Sequence, residues 1–174
     1  MNAPFKQAER LGRLTTELGP DTLSLLRFDG SDHLNDLFEY RVEALAIRED
    51  LDFDALVGTH ATVVIEAHDE MRPFDGIVTS ARWAGVGENG HCYDLTLRPW
   101  FWLAGRRRNQ RIFHNRTAVQ ILQELLSDYA PLGDPALEIS LSKDYPVLDY
   151  TVQYRDSDLD FARRQMERHG ISFH

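Results

Sequence analysis

The chain has 174 residues and a mass of 20.0 kDa, which exceeds one average domain and falls short of two. Hydrophobic residues make up 43% of it and charged residues 27%, so collagen-like and disordered classes are excluded. The single cysteine, Cys92, excludes an internal disulfide framework and a cysteine-cluster zinc site. Because no apolar run approaches the ~20 residues of a spanning helix or resembles a signal peptide, we expect no stable membrane insertion and folding in a reducing compartment.

The negative charge is distributed unevenly. Residues 1–105 hold nine basic and eighteen acidic side chains, which account for the whole net charge of −9, and residues 106–174 hold ten of each. The acidic total argues against a nucleic-acid partner. Five arginines nevertheless cluster without an intervening acid: Arg106, Arg107, Arg108, Arg111 and Arg116. This cluster could be a solvated loop at a domain boundary, contact a nucleic-acid backbone, or bind an acidic surface on a second copy of the chain.

The first hundred residues carry the pattern of β-strands. Short segments in which apolar and polar residues alternate are separated by turn-forming residues, including Asp29-Gly30 and the glycine-rich run 85–90. The candidate strands are residues 11–18, 22–28, 38–46, 61–67, 74–83 and 93–97. A short helix is indicated at residues 53–57. About six strands at this spacing predict a small antiparallel β-barrel or sandwich.

The period changes to that of a helix after residue 113. Thr117 is a good N-cap, and Gln120 completes a capping box before an apolar stripe that runs to Tyr129. Pro131 with Gly133 ends this helix. We expect a loop over residues 131–149, with a possible short strand at residues 137–141.

A second helix is indicated near the end of the sequence. Ser157 with Asp160 marks its start, and Gly170 is a natural residue to end it. Residues 171–174 then begin a strand, so we expect the chain to be part of a longer polypeptide. The predicted fold class is β-rich α+β, with a hub-like β-barrel domain at residues 1–108 and an incomplete α/β domain at residues 109–174.

The acidic residues of the second helix have the spacing of a calcium-binding loop. Asp156, Asp158, Asp160 and Glu167 occupy its first, third, fifth and twelfth positions. The position that requires glycine is Phe161, and acids in a first helical turn are stabilised by the helix dipole. We therefore interpret these acids as helix-capping residues and predict no metal.

A catalytic centre is not indicated by the remaining reactive residues. The seven histidines include no His-Glu-x-x-His pair, and Cys92 lies next to Tyr93 of a predicted strand, where a small buried thiol is the common state. The sequence contains no Gly-x-Ser-x-Gly elbow, phosphate loop or dinucleotide fingerprint. We predict no cofactor and no enzymatic activity; a hydrolase that uses a histidine and carboxylates is the less favoured alternative.

The aromatic run at residues 100–103 requires burial. If it forms a strand, Trp100 and Trp102 point to one face, and Phe101 and Leu103 to the other. Leaving one face in water forgoes about 4 kcal/mol per ring. Cover could come from the second domain or from a neighbouring subunit. We therefore take the candidate protein-interface residues to be Trp100, Phe101, Trp102, Arg106, Arg107, Arg108 and Arg111.

Several longer stretches resemble the VgrG family of type VI secretion spike proteins. RPFDGIV at residues 72–78 and YDLTLRPW at residues 93–100 resemble the family's first barrel. NQRIFHNRT at residues 109–117 is similar to the passage out of that barrel. YTVQYRDSDLDF at residues 150–161 and RRQMERHGISF at residues 163–173 resemble its most recognisable region. The resemblance spans nearly the whole chain in the family's order.

The resemblance implies a structural role without bond-making chemistry. It implies a homotrimeric hub that joins the spike to the tail tube, with partners among tail-tube protein, baseplate proteins and effectors or adaptors. It also implies assembly in the bacterial cytoplasm, followed by secretion through contractile injection. A hub of a prophage tail or of an extracellular contractile injection particle is the alternative with the same fold.

Overall fold

The computed structural model describes residues 6–68, 70–132 and 137–174. The chain divides into two compact units. The first unit comprises Met1–Asp32 and Phe38–Pro99, and the second comprises His33–Leu37 and Trp100–His174. In the part of the chain that is described, no helix is long and apolar enough to span a bilayer.

The first unit is a curled, six-stranded antiparallel sheet. Its strands are β1 (Gly12–Thr16), β2 (Ser24–Ser31), β3 (Glu39–Ala46), β4 (His60–Ala67), β5 (Glu70–Gly87) and β6 (Gly90–Arg98). They are ordered β1-β4-β5-β6-β3-β2 across the sheet, and each corresponds to one predicted strand. The prediction of a small antiparallel barrel is confirmed.

Alternation along the strands builds the core of this unit. In β3, Val42 and Ala44 are buried while Glu43 between them is exposed. Strand β6 buries Tyr93, Leu95 and Leu97 while the residues between them are half-buried. Strand side chains point alternately to opposite faces, so one face of the sheet supplies the core. Two register shifts in β5, between Val78/Ser80 and Trp83/Gly85, are bulges of the kind that bend a sheet.

The turn predicted at Asp29-Gly30 is wrong. Strand β2 continues through both residues to Ser31. A Cβ atom built on Gly30 would lie 2.6 Å from the carbonyl oxygen of Glu39 and 2.6 Å from the Tyr40 ring. The glycine therefore permits a close approach of two strands and makes no turn.

A side-chain amide joins the two edge strands of the sheet. Gln7 is 5% exposed, and its Nε2 donates to the carbonyl oxygens of Leu14 in β1 and Leu23 next to β2, both at 3.0 Å. Its Oε1 accepts from the backbone N–H groups of Leu14 at 2.8 Å and Leu25 at 3.0 Å. One glutamine thus satisfies four backbone groups at the seam where the edges meet.

The second unit packs two helices against a two-stranded ribbon. The ribbon is formed by β7 (Arg108–Thr117) and β8 (Val147–Ser157), and the helices are α1 (Ala118–Leu126) and α2 (Asp158–His169). The capping box of Thr117 and Gln120 is present. Ser157 caps α2, which ends at Gly170 with φ of 65°, a left-handed conformation that glycine adopts without strain. Both predicted helices are confirmed, although α1 ends before Tyr129, and Gly133 lies outside the described residues.

Four smaller predictions are wrong. Residues 100–103 belong to a 3-10 helix, Trp100–Arg106, in which Phe101 and Ala104 are both buried because residues three apart share a face.

The other three segments have no regular helix or strand. Residues 53–57 form a turn, and residues 137–141 and 171–174 are irregular. Residues 171–174 are held by Asn35, which donates its N–H to the Phe173 carbonyl at 2.9 Å and accepts the Phe173 N–H at 3.0 Å.

We expect Gln7→Leu to destabilise the first unit by about 3 kcal/mol, because buried backbone groups lose their only side-chain partner at the seam. Chemical denaturation followed by fluorescence measures the free energy of unfolding. Gln123→Leu, at an exposed position of α1, is the matched control and should change stability by less than about 0.5 kcal/mol. Equal effects of the two substitutions would contradict the structural role of Gln7.

Candidate assembly surfaces and the buried centre of the second unit

A buried carboxylate organises the second unit. Asp158 is the first residue of α2 and is 0% exposed. Asn109 of β7 donates its Nδ2 to the two carboxylate oxygens, at 2.9 and 3.0 Å. Gln153 of β8 donates its Nε2 at 2.7 Å, and the Tyr129 hydroxyl donates at 2.7 Å. One side chain therefore connects both ribbon strands, the start of α2 and the segment that follows α1.

The electrostatics keep this carboxylate ionised. Burial by itself raises the pKa of Asp158, but the hydrogen bonds from Asn109, Gln153 and Tyr129 and the charge of Arg111 together lower it below its ordinary value. The guanidinium of Arg111 lies 3.7 Å from Oδ2. Burial and the bond to Asp158 raise the pKa of Tyr129 to about 12, so that hydroxyl remains a donor at neutral pH.

The acids with calcium-loop spacing have separate structural roles. Ser157 accepts from the Asp160 N–H at 3.0 Å and donates to the Asp160 carboxylate at 2.6 Å, so Asp160 takes part in the helix cap. Asp156 instead pairs with Arg164 at 2.6 Å. Asp158 is already surrounded by donors. Within the described residues, no group of three or more histidine, cysteine or acidic side chains is arranged to hold a metal ion.

The aromatic candidates divide between the core and the surface. Phe101 is 8% exposed and contacts Phe173 edge-on, with ring centroids 5.3 Å apart. Trp100 and Leu103 are half-buried and pack on the same core of the second unit. The guanidinium of Arg106 lies 4.9 Å from the centroid of the Trp102 ring. The second unit itself therefore covers Phe101.

The arginine candidates are not one uniform patch. Arg107 pairs with Asp128 at 2.7 Å, and Arg111 pairs with buried Asp158. Arg106 stacks on Trp102. Arg108 is exposed at the start of β7, and its side chain has no partner among the described residues. Arg106 and Arg108 therefore remain the arginines most available to another molecule.

The structure shows an exposed apolar surface that sequence reasoning missed. We define the ribbon face as the outward side chains Gln110, Ile112, His114, Tyr150, Val152 and Tyr154, which pair across the strands as Gln110 with Tyr154, Ile112 with Val152 and His114 with Tyr150. Its period-two pattern is visible in the sequence, but a pattern of this kind does not tell which face is inside.

The structure thus combines a curled antiparallel sheet with a helix-backed two-stranded ribbon. The chain belongs to the phage tail baseplate hub (GPD) family, whose model matches residues 31–174.

Two known spike proteins show the relationship. The chain is 36% identical to the type VI secretion system spike protein VgrG1b of Pseudomonas aeruginosa over 168 residues, which is 96% of this chain and 22% of that protein. It is also 36% identical to VgrG1c of the same species, over 97% of this chain and 23% of that protein. The chain thus spans less than a quarter of the length of these relatives.

A solved structure has the same fold. It is the E. coli c3393 protein, described as a component of the type VI secretion system with structural similarity to the T4 bacteriophage tail proteins gp27 and gp5. The TM-score is 0.76 at 20% sequence identity, and the match covers 88% of this chain and 42% of that one.

Asp158→Ala should reduce the free energy of unfolding by about 3–5 kcal/mol, because the charge of Arg111 and three donors lose their buried partner. Because folding lowers the pKa of Asp158, its contribution is present above the ordinary aspartate value of about 3.9 and is lost as the pH falls further. Urea denaturation from pH 7 to pH 3 measures this dependence. The exposed Asp149→Ala is the control, and an equally steep acid profile in Asp158→Ala would refute the assignment.

Tyr129→Phe tests the alkaline side of the same centre. The raised pKa of Tyr129 means that the folded state holds the neutral phenol, so its contribution is present below about pH 10 and is lost as the pH rises to about 12. At pH 7 the substitution should cost about 1.5–3 kcal/mol, the value of a hydrogen bond to a charged group. The difference between wild type and variant should shrink towards pH 12. If the difference in unfolding free energy stays constant across this range, the hydrogen bond from the Tyr129 hydroxyl to Asp158 does not raise the pKa of Tyr129.

Proposed function

We propose that this chain is part of the hub of a type VI secretion spike, where it joins the spike to the tail tube without catalysing a reaction. The observation that carries the proposal is 36% identity to a spike protein over 96% of the chain, together with membership of the baseplate hub family. The fold shared with the c3393 protein supports the same conclusion. In this proposal the chain acts by shape and by docking to neighbouring proteins.

The proposed assembly is a homotrimer that contacts the tail-tube protein, baseplate proteins and effectors or adaptors. It forms in the bacterial cytoplasm and leaves the cell by contractile injection. A three-fold ring uses contacts between different faces of each copy, so complementary charges on those faces favour closure. The acidic first unit and the exposed Arg106 and Arg108 support this arrangement. The two tryptophans of the 3-10 helix lie close to these arginines in sequence and are the further candidates for contact.

A hub of a prophage tail is the second candidate function. The description of the matching family, a phage tail baseplate hub, is the observation that favours it. The two candidates share the fold and the mechanical role, but they differ in the particle that contains the hub.

Deletion of the gene from its host should abolish release of the tail-tube protein from intact cells, and the wild-type gene should restore it. Cys92→Ser and His60→Ala, introduced into that gene, should also restore release, because the proposal assigns no reaction to the chain. Immunoblots of culture supernatants measure the released protein, with a cytoplasmic enzyme as the lysis control.

Two results would contradict the spike proposal. Unchanged release after deletion, combined with loss of tail particles from lysates, would identify the prophage hub. Turnover of a peptidoglycan, lipid or nucleotide substrate by the wild type, lost in a folded histidine variant that also fails to restore release, would indicate an enzyme.

A further inference from the structure

Strand β8 turns polar side chains inward and apolar side chains outward, which is the reverse of the usual arrangement. On the side that faces the interior of the second unit, Gln153 is 0% exposed and Thr151 is 9% exposed. On the outward side, Tyr150 is 68%, Val152 is 40% and Tyr154 is 61% exposed. A sheet with one wet face normally turns its apolar residues inward.

The inward position of Gln153 is explained by Asp158. A buried carboxylate needs hydrogen-bond donors, and Gln153 supplies one of them at 2.7 Å. This need explains why Gln153 is inside, but it does not explain why the alternate positions are aromatic and aliphatic. Ile112, which is opposite Val152 on β7, is also 62% exposed. The ribbon face is therefore a contiguous apolar surface with aromatic side chains, a composition typical of protein interfaces.

The charge around the ribbon face indicates its partner. Arg108, Arg116 and Arg155 are exposed on the two strands, and Asp149 is the only exposed acid among the residues of β7 and β8. Such a surface favours an acidic counterpart. The first unit of the same chain carries nine basic and seventeen acidic residues, so a second copy provides one.

The most acidic segment of the first unit also exposes an apolar side chain. We define the acidic loop as residues 47–54. It contains Glu49, Asp50, Asp52 and Asp54, all exposed, with Arg48 as its only basic residue. Ile47, at its start, is 68% exposed. The loop therefore offers an apolar contact bordered by acids, which complements an apolar face bordered by arginines.

We propose that the ribbon face binds the acidic loop of a second copy of this chain. The contact joins two different surfaces, so each copy can use its ribbon face towards one neighbour and its acidic loop towards the other, as a closed ring requires. This inference rests on the proposed assembly of several copies and names the surfaces that meet. Its test is made in solution and does not depend on secretion.

Two double variants of the 174-residue chain separate the surfaces. Arg108→Glu with Tyr154→Glu alters the ribbon face and its arginine border, and Ile47→Arg with Glu49→Arg alters the acidic loop. All four positions are exposed, so both variants should keep the circular dichroism spectrum and Tm of the wild type. Val86→Glu replaces a 73% exposed apolar residue of β5 outside both surfaces and is the matched control.

Sedimentation equilibrium measures the association. The wild type and Val86→Glu should self-associate at low salt, and each double variant should weaken self-association by about tenfold or more. Raising the salt from about 50 to about 500 mM should weaken the wild-type association, because exposed charges are screened. A mixture of the two double variants should form a one-to-one complex, because the intact loop of one meets the intact ribbon face of the other.

Three results would overturn the inference. The first is a wild-type chain that stays monomeric at about 100 μM, because its dissociation constant would then lie above that concentration; the ribbon face would then have another occupant. The second is unchanged association in either double variant. The third is a mixture that forms no complex. Each of these results leaves the secretion experiment, and hence the proposed function, to be decided separately.

Discussion

The ionised carboxylate of Asp158 is the interaction on which the second unit depends. A charge removed from water is tolerated only where donors and an opposite charge surround it. Asn109, Arg111, Gln153 and Tyr129 meet this need from three separate parts of the chain. Because the donors must converge on one point, they determine how β7, β8 and α2 pack together and which side of the ribbon is inside.

The first unit also contains a buried polar side chain that bonds several groups, but this side chain is uncharged. The amide of Gln7 supplies two donors and two acceptors to backbone groups of β1 and β2, where the two edges of the sheet would otherwise leave unpaired groups. In both units a buried polar side chain joins elements that are distant in sequence. Removing one partner of such a network costs more than the bond is worth, since the other groups remain buried.

The hydrogen-bond donor that Asp158 requires from β8 affects both the stability of the second unit and the surface that it exposes. Gln153, which donates to Asp158, lies on the inward face of β8, and Tyr150, Val152 and Tyr154 of that strand face outward. A hub acts through contacts with other proteins, and such contacts are built from exposed aromatic and aliphatic side chains with a charged rim. Of the residues first selected for an interface, Phe101 stabilises the core and Arg111 neutralises Asp158, whereas Arg106 and Arg108 remain at the surface.

The six strands, the two capped helices and the family could be predicted from the sequence, because alternation, capping residues and turn residues act over a few neighbouring residues. The local pattern misled where long-range contacts decided the outcome. Gly30 is inside a strand, where another strand approaches it closely. The aromatic run at residues 100–103 lies in a 3-10 helix whose Phe101 packs against the distant Phe173. The roles of Gln7 and Asp158 were decided only by tertiary structure, since their partners come from distant segments and no local pattern records which polar side chain will be enclosed.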